Sequence, residues 1–264
     1  MARNARNAGS YLESLFGLVG QTAIVTGGSS GIGRDMAVAL GRAGCRVVLV
    51  ARRSQPLHEA VRHLEAFNVE AAAVTADLAD VASLKAAVEE IKASYGTPDV
   101  LVNAAGVNHR PHMDELSEET WNTTIAVNLT APFLLGQAFG PQMAARGSGR
   151  IINIISQQTF RAFGNSGAYG ASKGGLLSLT RSQAEAWSPK GVLCNAVAPG
   201  LVHTPLAAAV FSDASKAEMH AARTMTGRNG VPGDFAGVAV YLASAASSAV
   251  TGQTIFVDGG YSAR

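Results

Sequence analysis

Short runs of β-branched and other apolar residues recur along the chain, spaced by alanine-rich stretches whose apolar positions repeat with a helical period. Seven runs read as strands, at 22–26, 46–50, 70–74, 100–103, 150–155, 193–197 and 254–258. They are continuously apolar rather than alternating, as in Val47-Val48-Leu49-Val50. Such strands are buried on both faces, which favours a parallel sheet between two layers of helices. Helices are predicted at about 31–44, 54–67, 81–95, 118–145, 166–188 and 233–246, with Ser117 ahead of Glu118 and Glu119 in a first turn and Gly44 and Gly96 past helix ends. The fold class is doubly wound α/β.

No internal repeat or low-complexity linker interrupts the pattern. It lapses only at 201–230, where Gly227, Gly230, Pro232 and Gly233 follow. A long excursion late in a compact fold is often a functional lid. Residues 201–226 carry Leu201, Val202, Leu206, Val210, Phe211, Met219 and Met225, which cost free energy if left in water. They are expected to close over a ligand, the alternative being a fixed helical pair at an oligomer interface.

Composition narrows the class. Of 264 residues 47% are hydrophobic and 15% charged, enough to fill one core and incompatible with disorder. The balance of 21 basic against 19 acidic residues gives +2, so no polyanion-binding surface and no nucleic-acid partner is expected. No apolar run approaches the ~20 residues of a membrane span. Arg3 and Arg6 precede the apolar 15–20 stretch, but Glu13 interrupts it, and no signal peptide is expected. Cys45 and Cys194 each sit alone in an apolar segment, so a reducing, cytoplasmic compartment is the expectation.

Strand 22–26 runs into Thr26-Gly27-Gly28-Ser29-Ser30-Gly31-Ile32-Gly33 and then into a helix. Glycines there permit a tight turn and a close backbone approach to a pyrophosphate, and a helix N-terminus presents N–H groups to phosphate. This unit makes the sheet a Rossmann-type one, with 18–264 a single dinucleotide-binding domain and 1–17 an extension expected to be frayed. An acidic residue about 20 positions on would accept from a ribose 2′-OH, whereas arginine complements a 2′-phosphate. Strand 46–50 ends in Ala51-Arg52-Arg53, so NADP(H) is favoured over NAD(H).

Tyr169 and Lys173, four apart on a predicted helix, share one face. A cation stabilises phenolate and brings a tyrosine closer to working pH, making proton transfer to a carbonyl feasible. An isolated pair would read as a solvated face. Ser156 ends strand 150–155, at the edge where open parallel sheets bind ligands, and its hydroxyl can polarise a substrate oxygen. Asn103-Ala104-Ala105-Gly106 follows the fourth strand with small residues that keep a cleft floor open. His109 and His112 lack a third ligand, so no metal is expected, and substrate contact is the better reading, with Gln157, Gln158 and Asn165 as further candidates.

In their order, the glycine turn, Asn103–Gly106, Ser156, Tyr169-Gly170-Ala171-Ser172-Lys173 and Pro199-Gly200 resemble the motifs of the classical short-chain dehydrogenase/reductase family over roughly 18–262. The resemblance implies that Asn128 holds a water linked to the lysine, that Lys173 also bonds the nicotinamide ribose, that Asp77-Leu78 contacts the adenine, and that Val202 and Thr204 receive the nicotinamide amide. It also implies a homotetramer. One departure bears on the cofactor: NADP-preferring relatives often carry a basic residue where this chain has Ser30, so NAD dependence stays open.

The function expected is reversible hydride transfer between NADP(H) and a ketone or secondary alcohol. 3-Oxoacyl, sugar-acid and small-alcohol substrates all share these motifs. Enoyl reductases of the superfamily usually place the lysine six residues after the tyrosine, against four here. A non-catalytic NADP-binding redox sensor is the alternative from another class, and such proteins tend to lose the tyrosine or lysine.

Overall fold

The computed structural model describes residues 2–264, with side chains from Gly9 onward; Met1 and the side chains of Arg3 and Arg6 lie outside the described residues. In chain order the elements are α1 (Ala2–Phe16), β1 (Thr22–Thr26), α2 (Gly31–Arg42), β2 (Arg46–Ala51), α3 (Ser54–Glu65), β3 (Ala71–Thr75), α4 (Val81–Tyr95), β4 (Val100–Asn103), α5 (Glu118–Ile125), α6 (Ala131–Arg146), β5 (Gly149–Ile154), α7 (Gly167–Trp187), β6 (Val192–Pro199), α8 (Ala208–Phe211), α9 (Ala214–Ala221), α10 (Ala236–Ala243) and β7 (Thr254–Val257).

The strands form one sheet in the order β3-β2-β1-β4-β5-β6-β7, every pairing parallel. Successive side chains of a strand point to opposite faces, and the core divides accordingly. Ala23, Val25, Val47, Leu49, Val100 and Val102 pack on Met36 and Leu40 of α2, Leu57 and Leu64 of α3 and Leu242 of α10. Ile24, Val48, Leu101 and Ile151 pack on Leu84 and Ile91 of α4 and on Leu135, Phe139 and Met143 of α6. The interior strands are shut off on both sides, which is why their runs are apolar throughout. Strand order reverses between β1 and β4, and a parallel sheet opens a crevice beyond its carboxyl edge at such a point.

Two elements differ from the sequence expectation. Residues expected to be frayed at the N-terminus form α1, which Gly17 closes by donating to Glu13 O at 2.8 Å, ahead of the fully buried Leu18. The helix predicted at 118–145 is divided into α5 and α6 by a π-turn over Ala126–Thr130. Such a turn widens the helix by one residue, and it occurs often at functional sites. Of the apolar side chains on the long helices, Leu135, Phe139, Leu176 and Leu177 are buried within the chain, while Trp121 and Phe133 stay exposed. Among the described residues no helix is long and apolar enough to cross a membrane.

Candidate active site

Glycine is required in the turn after β1 by what surrounds it. Gly27 has φ +67°, and a Cβ there would lie 2.8 Å from the Ala105 backbone; one on Gly33 would lie 2.7 Å from the Gly27 carbonyl oxygen. The turn is thereby pressed against the loop after β4, and Thr26 Oγ1 accepts from the Ala104 and Ala105 N–H groups at 3.2 Å each. Ser30 caps α2 in extended conformation without a side-chain hydrogen bond. The first turn of α2 therefore faces a cavity of about 1130 Å³ lined by Ser29, Ser30, Gly31, Ile32 and Gly33.

The same cavity is lined by Arg52, Arg53, Asp77, Leu78, Ala104, Gly106, His109, Ser156, Gln157, Gln158, Asn165, Tyr169, Lys173, Pro199, Gly200, Val202 and Thr204. Most of the predicted positions, drawn from nine segments of the chain, are thus brought to one place. Arg52 lies 3.8 Å from Asp77, whose carboxylate also accepts from the Ala79 N–H at 3.0 Å and so caps its own turn. Thr204 rests over Gly31, its Cγ2 3.1 Å from where a Cβ would stand.

Ser156, just past β5, accepts from the Gln158 N–H at 3.2 Å and hydrogen-bonds the Tyr169 side chain. Tyr169 and Lys173 leave α7 on one face, the ammonium 5.8 Å from the ring centroid. Lys173 Nζ donates to Ile154 O at 2.7 Å and is buried. Burial lowers its pKa to about 8. Burial also raises the Tyr169 phenol above its ordinary value, against the opposing pulls of the Ser156 hydrogen bond and the Arg110 charge. The depression of the phenol expected from Lys173 is not found: the lowering pulls come from Ser156 and Arg110, and desolvation prevails over them and favours the protonated phenol.

Three predicted residues lie off the cavity wall. Asn103 is buried and donates to Asn153 Oδ1 at 2.8 Å, within a polar network that reaches Thr180 and Gln183. Asn128, on the π-turn, has both amide atoms committed to Val107: Oδ1 accepts from its N–H and Nδ2 donates to its carbonyl, each at 2.9 Å, with a further donation to Ser172 Oγ at 3.1 Å. Gly106 has Asn128 Oδ1 and Lys173 Nζ beside it, 3.3 and 3.7 Å from a built Cβ. Asn128 thus holds the β4 loop to α7 from behind the wall. His112, expected to contact substrate, points away, exposed and 3.2 Å from the Asp114 carboxylate. Gln157 does line the cavity, with its amide donating to Asp258 at 3.0 Å.

The segment 201–226 folds as α8 and α9 rather than as an irregular loop. Gly230 donates to Leu201 O at 2.8 Å at its base, and Met225 to Gly259 O at 2.7 Å at its far end. Leu206, Val210 and Met219 face the cavity from it. So do three residues that no local signal in the sequence marked as functional: Lys216, His220 and Arg223. Lys216, Met219 and His220 recur at a spacing of 3 and 4 on α9, the period of one helix face, which is the signal that could have found the first and last of them, while Arg223 follows in the turn just past the helix. Arg110, Phe163 and Tyr261 complete the wall.

A model of the family described as enoyl-(acyl carrier protein) reductase matches residues 27–262. Gluconate 5-dehydrogenase of Gluconobacter oxydans is 37% identical over 246 residues, covering 93% of this chain and 96% of that one. A structure from Beutenbergia cavernae, described as an NAD(P)-dependent gluconate 5-dehydrogenase with NADP at low occupancy, superposes with a TM-score of 0.91 at 42% identity, over 94% of this chain and 99% of that one. Gluconate 5-dehydrogenase of Burkholderia cenocepacia, in complex with NADP and tartrate, gives 0.90 at 36%, over 96% and 99%. With the ordered glycine turn, serine, tyrosine and lysine gathered on one cavity, this chain belongs to the short-chain dehydrogenase/reductase family.

Proposed function

We propose that the protein is an NADP(H)-dependent oxidoreductase interconverting a secondary alcohol and a ketone on a sugar-acid substrate. The observation that carries this is the convergence of Ser156, Tyr169 and Lys173 on the cavity that the glycine turn lines. The named relatives, which act on gluconate, support the substrate class. The family model's enoyl-reductase description fits less well, because Lys173 follows Tyr169 by four residues.

The residues present fit a dinucleotide phosphate. The first turn of α2, capped by no side chain, would meet the pyrophosphate, Arg52 and Arg53 the 2′-phosphate, Asp77 and Leu78 the adenine, and Val202 and Thr204 the nicotinamide amide. NADP(H), when bound, supplies the hydride chemistry. The chain supplies alignment and the proton. Ser156 Oγ holds the substrate oxygen and polarises it as charge develops. In reduction Tyr169 gives its phenolic proton to that oxygen; in oxidation it takes the proton back, for which it must first be ionised. Lys173, held by Ile154 O, places a cation beside the phenol and a donor toward the nicotinamide ribose. His109, Gln158 and Asn165 are the candidate contacts to substrate hydroxyls.

The helical pair at 201–226 is proposed to act as the lid, excluding water during transfer. Trp121 and Phe133, together with the exposed Phe160–Phe256 pair at 5.1 Å, support assembly into a homotetramer. Two buried free cysteines fit a cytoplasmic location. The function is tested by mixing the protein with NADPH and 5-keto-D-gluconate and following the nicotinamide absorbance. Oxidation of NADPH that depends on the keto acid is expected; none with this or any other keto acid overturns the proposal.

A further inference from the structure

Charge is distributed unevenly along the cavity. Asp77 is the one carboxylate among the described residues that line it, and it sits beside Arg52 past the ends of β2 and β3. Toward the ends of β5, β6 and β7 the wall carries Arg110, Lys216 and Arg223 with no acid among the lining residues. Cations gathered on one stretch of a cleft wall, with no acid among the residues lining it there, favour an anionic ligand.

The three cations are not equivalent. Arg110 donates to Gly164 O and acts electrostatically on Tyr169, so it belongs to the reacting end. Lys216 is 3.1 Å from the Asp213 carboxylate, which takes part of its charge. Arg223 has no ion-pair partner among the described residues; its guanidinium lies 5.1 Å from the centroid of the buried Tyr261 ring, and His220 stacks on that ring at 4.7 Å. Burial and the neighbouring Arg223 charge both lower the His220 pKa, so the imidazole there is neutral and adds no cation. Arg223 is therefore a planar, five-donor cation, oriented by an aromatic platform and facing the substrate half of the cavity. A guanidinium fork of that kind matches a carboxylate with two parallel hydrogen bonds.

We infer that Arg223 is the carboxylate anchor of this site, assisted by Lys216, and that it selects polyhydroxy acids over neutral polyols of the same length. The inference rests on the sugar-acid reading above and deepens it by naming the residue that reads the acid.

The test compares D-gluconate with D-glucitol, its neutral counterpart, as substrates for the holoenzyme at saturating NADP⁺. In Arg223→Gln the ratio of kcat/KM for the acid to that for the polyol should fall by about 10- to 150-fold, the range for a hydrogen bond to a charged group. The fall should appear mainly in KM for gluconate. Arg223→Lys should recover part of it, and Lys216→Gln should lower the ratio less than Arg223→Gln does. An unchanged ratio in Arg223→Gln, an equal loss on both substrates, or a larger effect from Lys216→Gln overturns the assignment while leaving the sugar-acid reading intact. A wild type inactive on gluconate, on its keto acid and on every other keto acid overturns that reading instead, and the anchor with it.

Discussion

Replacing both Arg52 and Arg53 by alanine separates cofactor recognition from stability, because both side chains stand at the cavity rim beyond β2. Arg52 is 71% exposed and 3.8 Å from Asp77. Two unit charges at that distance attract by only about 1 kcal/mol in water, and exposed pairs of this kind are worth roughly 0.2–1 kcal/mol. The fold should therefore lose no more than about 1 kcal/mol. A charge-assisted contact to a phosphate is worth roughly 1.5–3 kcal/mol, or about 10- to 150-fold in affinity. Losing Arg52 also leaves the Asp77 carboxylate without its cation, and an unneutralised carboxylate repels a 2′-phosphate. The double variant should thus bind NADPH at least ~10-fold more weakly and NADH within about fivefold of the wild type. Fluorescence titration of the reduced cofactors gives both constants, with a thermal melt as the control for folding. An unchanged NADPH/NADH ratio refutes the placement of the 2′-phosphate at these arginines.

Further outcomes follow from the same site. Because burial raises the Tyr169 phenol, its ionised form grows only on the alkaline side, so kcat for alcohol oxidation should climb as pH rises through 7 and above; a rate flat with pH contradicts this. Ketone reduction needs the protonated phenol beside a charged lysine and should decline above the Lys173 pKa of about 8, as stopped-flow pH profiles would reveal. Hydrogen exchange in 201–226 should slow when NADPH and a substrate analogue are added, whereas equal protection with and without ligand favours a fixed helical pair. Light scattering at micromolar concentration should return four chains, and a single 27.1 kDa species would refute the assembly.

The sheet was legible because its strands are buried on both faces: Ile24, Val48 and Leu101 could not be polar where they stand, and β1 and β4 begin and end where the apolar runs do. Glycine at 27 and 33 was legible for a related reason, since backbone lies within 3 Å of the missing Cβ. Asn128 was legible as a residue of interest but not in its geometry. A π-turn adds one residue without breaking the apolar spacing, so 118–145 reads as continuous helix. Loop residues fared worst. His109 and His112 flank Arg110-Pro111 symmetrically in sequence, yet only the former reaches the cavity, because tertiary placement of a loop leaves no local trace. Lys216 and Arg223 were hidden differently: a charged residue on a short helix or in the turn after it ordinarily marks a solvated surface, and only tertiary placement brings both to the cavity wall.

In the proposed mechanism Tyr169 passes the proton while the chain aligns a hydroxy acid with NADP(H). Tyr169→Phe removes one oxygen atom, buried with its ring on α7, and leaves Lys173 on Ile154 O. Steady-state rates with NADPH and 5-keto-D-gluconate, measured beside the NADPH dissociation constant, should show kcat lowered by at least ~10²-fold, the low end for losing a general acid, with cofactor affinity nearly unchanged. A variant that turns over at close to the wild-type rate would contradict it.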